Sequence, residues 1–271
     1  MKEIEFYFKE DFAEIGDITS ENLFSDENGK GIIKNNEECI LAGVKEIEFI
    51  FQKLGGRTTN YYDNGEFIEK NENIFEINGP IISILKGERL ALNMIGRMSA
   101  IATETKKIVD KCTQINPKIE IAATRKTTPG FRKYEKKAVE IGGGISHRMG
   151  LYDAVMIKDN HIKSIGSIEK AVDKINKKNL GKTIEIEVEN SKDAIIVADM
   201  NVDVIMLDNF DSKNAEITTK KVKEINPNII IEISGGITPE NILEYAGFAD
   251  RISLGYLTHS IKNIDFSLEI I

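Results

Sequence analysis

The sequence predicts an α/β protein, a parallel β/α barrel preceded by a small α+β domain. Three observations predict it. The second half repeats short β-branched runs, each followed by polar residues and then a helical pattern, which is the signature of βαβ units on a parallel sheet. Six such runs occur, at Ile119–Ala123, Ala154–Ile157, Ile184–Val188, Val204–Leu207, Ile229–Ile233 and Ile252–Leu254, and right-handed crossovers could close them into a barrel. Finally, 271 residues with 41% hydrophobic and 30% charged side chains suit a barrel-sized globular chain.

The first hundred residues follow another pattern. Lys30–Leu41 reads as a strand, and Val44–Leu54 as a helix (Val44, Ile47, Ile50, Phe51, Leu54) stopped by Gly55-Gly56. Asn64-Gly65 and Asn78-Gly79 are turn signals around strand-like runs. A long helix is expected from about Gly87 to Lys111. The expected division is an N-terminal domain at 1–103, a barrel at 104–257, and a tail at 258–271 that returns to the first domain. Between the barrel strands lie amphipathic helices such as Ser167–Asn176 and Ala215–Ile225.

Charge is distributed unevenly. Residues 124–163 hold nine Lys/Arg against four Asp/Glu, a net +5, while the whole chain is −8 and the remainder therefore −13. A cationic island in an acidic chain points to a bound anion rather than to general nucleic-acid attraction. The residues ending the six runs are polar or charged: Thr124-Arg125-Lys126, Lys158-Asp159-Asn160, Glu187–Asn190, Asp208-Asn209, Ser234-Gly235-Gly236 and Gly255. In β/α barrels such strand ends share one mouth, where the active site lies.

Each candidate has a chemical reason and a plainer alternative. Arg125 offers a planar fork and Lys126 a flexible charge for carboxylate or phosphate, unless both are solvated rim. Gly142-Gly143-Gly144 places His147 and Arg148 on a loop entering the next strand; a simple helix stop is the other reading. Lys158 could be a Schiff-base nucleophile or an anion clamp, and its cationic surroundings favour the clamp. Glu185, Glu187 and Glu189 alternate onto one strand face, where burial is costly unless cations or a metal oppose them. With Asp208 they could balance the cations, or hold ribose hydroxyls and Mg²⁺. Ser234-Gly235-Gly236, followed by Thr238 as N-cap and Pro239 at the first helical position, suits a phosphate, with Gly255 completing that site. His259 reads as structural, and Cys39 and Cys112 as separate reduced thiols.

Taken in order, TRKTTPG, GGG-x-SHRMGL, IKDNHI, EIEVEN, IMLDNF, SGGI and GYLTHS resemble the quinolinate phosphoribosyltransferase family over nearly the whole chain. The resemblance implies an irregular α/β barrel with an N-terminal sandwich-like domain. It implies conversion of quinolinate and phosphoribosyl pyrophosphate to nicotinate mononucleotide, pyrophosphate and CO₂, with Mg²⁺ as cofactor. By motif, substrate binding falls on Arg89, Arg125, Lys126, His147, Arg148, Lys158, Glu187, Asp208, Ser234, Gly235, Gly236 and Gly255. The catalytic set among them is Lys126, Lys158, Glu187 and Asp208, with Glu187 and Asp208 as the metal candidates. The resemblance also implies a homodimer or higher oligomer in which Arg89 reaches the neighbouring subunit's site.

Two positions depart from the family pattern: Ala123 stands where Asp is usual, and Ser146 where Asn is usual. The related ModD-type proteins share the TRK-PG and HR-GL segments but typically lose the IKDNH and LTHS versions, both present here. Quinolinate is therefore the expected base. A ModD-type activity on another base and a lysine-dependent aldolase-like barrel are the alternatives. No apolar run approaches the roughly 18–20 residues of a membrane span, and the acidic start MKEIEFYFKEDFAE lacks a signal-peptide core. A cytoplasmic enzyme of small molecules, binding neither membrane nor nucleic acid, is expected.

Overall fold

A computed structural model describes residues 2–271. The chain divides into two units, one of residues up to Lys106 with Thr128–Gly142 and Ile261–Ile271, the other of Lys107–Thr127 and Gly143–Ser260. Residues Ile261–Ile271 of the tail and the segment Thr128–Gly142 both group with the N-terminal part.

The first unit contains α1 (Lys2–Phe12), α2 (Ser20–Leu23), β1 (Asn28–Asn35), β2 (Cys39–Ile40), α3 (Val44–Leu54), β3 (Arg57–Asn60), β4 (Phe67–Ile68) and β5 (Asn73–Pro80). Helix α4 (Ile81–Thr113) starts in it, and α5 (Arg132–Ile141) and β12 (Phe266–Ile270) complete it. Its main sheet runs β12-β1-β5-β3, antiparallel throughout. The expected single strand Lys30–Leu41 is two strands. The break follows Asn35, which is wholly buried and spends its amide on the Glu37 and Glu69 carbonyls and the Glu72 N–H. Helix α3 appears as expected and buries Val44, Ile47, Ile50 and Phe51; the Asn64 side chain caps its start through the Gly43 and Val44 N–H groups. Asn78-Gly79 is not a turn. It lies inside β5, where Gly79 has φ +156 and a Cβ would sit 3.0 Å from the Gly56 Cα; the glycine serves close backbone approach. Helix α4 begins at Ile81, six residues before the expected start, and its 33 residues extend about 50 Å.

Segment 128–142 joins this unit because of what α5 buries. Glu135 is wholly buried and accepts from Arg97 Nε (3.1 Å) and Nη2 (2.9 Å) and from the Thr128 N–H (3.0 Å). Lys137 Nζ donates to both Glu46 oxygens, at 2.8 and 3.0 Å. Tyr134 is buried beside Phe131 and Tyr7. Arg97 also donates to the Ile261 carbonyl at 2.9 Å, which holds the tail. The helical pattern of α5 is visible in the sequence, but its partners are about forty and ninety positions away.

The second unit contains β6 (Glu120–Ala122), β7 (Val155–Ile157), α6 (Asp159–Ile165), α7 (Ile168–Asn176), β8 (Ile184–Val188), α8 (Ser191–Ala198), β9 (Val204–Asp208), α9 (Ser212–Ile225), β10 (Ile230–Ser234), α10 (Leu243–Ala246), β11 (Arg251–Ser253) and α11 (Tyr256–His259). All six strands pair parallel in the order β6-β11-β10-β9-β8-β7. A parallel bridge between Ala122 and Ile145 extends the β6 edge. Among the described residues no ladder joins β6 to β7. The helices start on side-chain caps: Ser167, Asn190 and Asp211 accept from the N–H groups of Lys170, Asp193 and Asn214.

Because Glu135 is buried, losing its cation leaves an uncompensated charge, which costs about 3–5 kcal/mol. Arg97→Ala is therefore expected to lower unfolding stability by that order in urea denaturation. Loss of less than about 1 kcal/mol would show that this pair does not hold the unit together.

Candidate active site

Strand alternation builds the site. On β8, β9, β10 and β11 the inner-face residues are Glu185 and Glu187, Met206 and Asp208, Glu232 and Ser234, and Arg251 and Ser253, each pair two apart. A cavity of about 390 Å³ lies over that face, lined by Ala123, Thr124, Arg125, Lys126, His147, Arg148, Met156, Lys158, Glu187, Met206, Asp208, Glu232, Ser234 and Ser253. Five of the expected cations and both expected acids therefore meet in one cavity.

The cations are held by local structure. Lys158 ends β7 and ion-pairs with Glu187. Its N–H donates to His161 Nδ1 at 3.0 Å, so His161 closes the first turn of α6 and fixes the lysine's backbone. The Lys126 N–H donates to Thr124 Oγ1 at 3.0 Å, and its carbonyl accepts from Thr258 Oγ1 at 2.7 Å. A Cβ on Gly255 would lie 2.7 Å from His259 Nε2 and 2.9 Å from Lys126 Cδ. Gly255, Thr258 and His259 thus shape the ground around Lys126. Burial, and then the charge of Arg125, depress the Arg148 pKa. Two guanidinium groups that repel one another in a cavity are stabilised by an anion between them.

The acids fall into two groups. Asp208 is pushed upward by burial and by Glu187, and Asn209 Nδ2 donates to it at 2.6 Å. Glu187 and Asp208 are oxygen donors facing one cavity and repel each other, a donor set that fits a hard divalent cation. Glu185 and Glu232 are both buried and meet His147, whose Nε2 lies 3.2 Å from an oxygen of each. Arg251 bridges Glu232 (Nη1, 3.3 Å) and Glu120 (Nη2, 2.7 Å). His147, Glu185 and Glu232 also place ligand-type atoms within 4.8 Å of one another, here as a hydrogen-bonded group. Burial disfavours the charged imidazole, but hydrogen bonds and charge from Glu185 and Glu232 outweigh it and raise His147 from 6.5 to about 9. Burial raises Glu185, while contact with His147 lowers Glu232 despite its burial.

Several expectations change. Glu189 lies beyond the end of β8 and is exposed, so only two of the three alternating glutamates face inward. Thr238 does not cap a helix: residues 239–242 are a turn, and α10 is only four residues long. After Ser234 come two left-handed glycines, Gly235 (φ +80) and Gly236 (φ +63). A Cβ on Gly235 would sit 2.6 Å from the Asn209 backbone nitrogen, whereas one on Gly236 would meet nothing within 4 Å. Gly235 thus lets β10 lie against Asn209, while Gly236 has open space beside its Cα and its carbonyl accepts from Asn241 Nδ2 at 3.0 Å. Neither they nor Gly255 line the cavity. Arg89 is exposed on α4 in the other unit. Sequence reasoning misses Glu232, Arg251 and Glu120; the period-two pattern in IIEIS and RIS is the signal that could have found the first two.

A profile of the quinolinate phosphoribosyl transferase N-terminal domain matches residues 17–99, and that of its C-terminal domain matches 101–269. The chain belongs to the quinolinate phosphoribosyltransferase family. It is 42% identical over 262 residues to the probable nicotinate-nucleotide pyrophosphorylase (carboxylating) of Archaeoglobus fulgidus, covering 94% of this chain and 98% of that protein. The human nicotinate-nucleotide pyrophosphorylase (carboxylating) is 36% identical over 234 residues, covering 85% of this chain and 78% of its own. The solved nicotinate-nucleotide pyrophosphorylase of Francisella tularensis superposes with a TM-score of 0.91 at 37% identity, over 100% of this chain and 95% of that one.

In this phosphoribosyltransferase fold the raised His147 pKa ties stability to pH. Its charged form stabilises the fold fully below pH 6.5, and that contribution declines as pH rises and is gone above about 9. The shift corresponds to on the order of 3 kcal/mol. Urea unfolding at pH 6 and pH 9.5 is expected to show a loss in the wild type that His147→Asn lacks. Equal pH dependence in both proteins would detach the effect from this ring.

Proposed function

We propose that this chain transfers the phosphoribosyl group of phosphoribosyl pyrophosphate to quinolinate with loss of CO₂, giving nicotinate mononucleotide and pyrophosphate. The observation that carries the reading is one cavity in which Arg125, Lys126, His147, Arg148 and Lys158 face Glu187 and Asp208. Quinolinate is a dicarboxylate and its co-substrate carries several phosphate charges, so both need matched cations. Each charge-assisted hydrogen bond is worth roughly 1.5–3 kcal/mol.

The division of labour follows from charge. Arg125, His147 and Arg148 take the two carboxylates and orient the pyridine nitrogen toward the anomeric carbon. Lys126 and Lys158 take phosphate charge, aided by the open space beside Gly236. Glu187 and Asp208 hold ribose hydroxyls and favour the positive charge that develops on the sugar as pyrophosphate leaves. Mg²⁺ would be held by these two acids together with substrate phosphates, and when bound it would neutralise leaving-group charge. Decarboxylation follows beside the quaternised ring nitrogen, which stabilises the carbanion. No side chain need act as a nucleophile, so positioning and charge supply the catalysis. The Lys158–Glu187 ion pair supports a clamp rather than the neutral lysine of an aldolase.

We also propose a homodimer or higher oligomer in which Arg89 completes a neighbour's site. The family resemblance supports this, as does the exposure of Arg89. Exposed apolar residues also support it: Leu151 and Tyr152 beside an apolar groove, and Phe6, Ile15 and Ile18 elsewhere on the chain. A cytoplasmic setting is supported by the free, buried Cys39 and Cys112, whose thiols burial pushes up to about 12 and about 11. No helix among the described residues is long and apolar enough to cross a membrane.

Incubation with quinolinate, phosphoribosyl pyrophosphate and Mg²⁺ should yield nicotinate mononucleotide and CO₂; no product would refute the reading. Asp208→Asn is expected to weaken the phosphoribosyl substrate at least tenfold and leave quinolinate affinity within twofold, both read by calorimetry, with roughly 1.4 kcal/mol per tenfold. The reverse pattern would overturn the division of labour. For the shared site, Arg89→Ala and Lys158→Ala proteins, each inactive, should regain activity when their subunits exchange, because the hybrid holds one intact site. Continued inactivity after demonstrated exchange would place Arg89 in its own subunit's site.

A further inference from the structure

We propose that Glu185 and Glu232 are positioning residues that fix the His147 ring as a charged donor to a substrate carboxylate. This rests on the reading of the cavity as a dicarboxylate site. Three independent features of the geometry carry it.

The first is backbone conformation. His147 has φ +50, a region that non-glycine residues occupy at some cost. Such a residue stays there only if its side chain is over-determined. Both contacts that could do so converge on one atom, Nε2, at 3.2 Å from Glu185 and 3.2 Å from Glu232.

The second is the proton count on the ring. With Nε2 committed to carboxylates, Nδ1 is the nitrogen left for a ligand in the cavity that His147 lines. A neutral ring donating through Nε2 has a bare, accepting Nδ1, which repels a carboxylate. The imidazolium donates from both nitrogens. The charge state therefore decides whether His147 attracts or rejects the substrate.

The third is charge balance. Glu185 and Glu232 are buried, and Arg251 is divided between Glu232 and the half-exposed Glu120. Buried carboxylates need a further positive charge, and His147 supplies it. The charged groups facing this ring and cavity are Glu185 and Glu187 from β8, Asp208 from β9, Glu232 from β10, Arg251 from β11, Arg125 and Lys126 after β6, Lys158 at the end of β7, and Arg148 on its own loop. The cavity cations Arg125, Lys126, Arg148 and Lys158 would expel the proton; the two buried carboxylates Glu185 and Glu232 hold it.

The test uses the full chain and imidazole ¹⁵N NMR, with the His147 signal identified by its loss in His147→Asn. Wild-type His147 should remain charged at pH 8, and Glu232→Gln should lower its titration midpoint by about two units or more. In Glu232→Gln the KM for quinolinate at pH 8 should rise roughly ten- to a hundredfold. It should recover at pH 6, while the KM for phosphoribosyl pyrophosphate stays within twofold. Glu185→Gln should act in the same direction and serves if Glu232→Gln does not fold. A wild-type ring titrating near 6.5, or a KM loss independent of pH, would overturn the proposal. Absence of quinolinate turnover in the wild type would instead overturn the functional reading, so the two failures are separable.

Discussion

Strands of a parallel sheet covered on both faces normally carry continuous apolar runs. The inner face of β8 to β11 instead carries a charged or polar side chain at nearly every second position. In register across the sheet run Glu120, Arg251, Glu232, Met206 and Glu187. A row of this kind folds only if its charges are compensated from within the row or from the loops above it. Arg251 compensates part of it. The rest comes from His147 and Lys158, which sit on the loop before β7 and at its end. The active-site cations are thus also what allows the sheet to bury its acids, whereas the cations of 132–137 in the same island belong to α5 of the first unit, where Lys137 meets Glu46.

The first unit solves a similar problem by different means. Glu135 on α5 is fully buried but has four donors' worth of partners in Arg97 and Thr128. Arg97 in turn grips the tail at Ile261. One residue of α4 thereby organises two segments that arrive from far along the sequence. This is the physical reason why 128–142 groups with the N-terminal part although its neighbours in sequence belong to the barrel.

Legibility from sequence divides by range. The βα rhythm, α3, the amphipathic patterns of α7 and α9, and the cations at strand ends depend on residues a few positions apart, and the sequence displays them. The family motifs do the same for the site. Most missed or misplaced features depend on distant partners. Asn78-Gly79 looks like a turn because the need for close approach to Gly56 is invisible locally. Thr238-Pro239 looks like a helix start, yet the chain makes a turn before the short α10. Glu232 hides between Ile231 and Ile233 in a run that looks apolar, and Arg251 stands just before the run Ile252–Leu254, next to Asp250. Their roles emerge only when the parallel register sets them side by side.

One further step along the strands, the row toward the C-terminal ends reads Ala122, Ser253, Ser234 and Asp208, with Ala122 opposite Ser253 and Ser234 opposite Asp208. These are small residues with a single acid, where the preceding row is large and charged. The consequence is a gradient of function along one face. In the preceding row Glu232 is answered by Arg251 and His147, so that part of the face is settled within the protein. In the C-terminal row alanine and two serines leave volume, and Asp208 is repelled by Glu187 rather than paired with a strand neighbour. Together with mutually repelling Arg125 and Arg148, this leaves both signs of charge incompletely answered in one cavity. A ligand that carries carboxylates at one end and a sugar that becomes cationic at the other answers both. The same alternation that makes the sheet costly to bury therefore selects the chemistry it can catalyse.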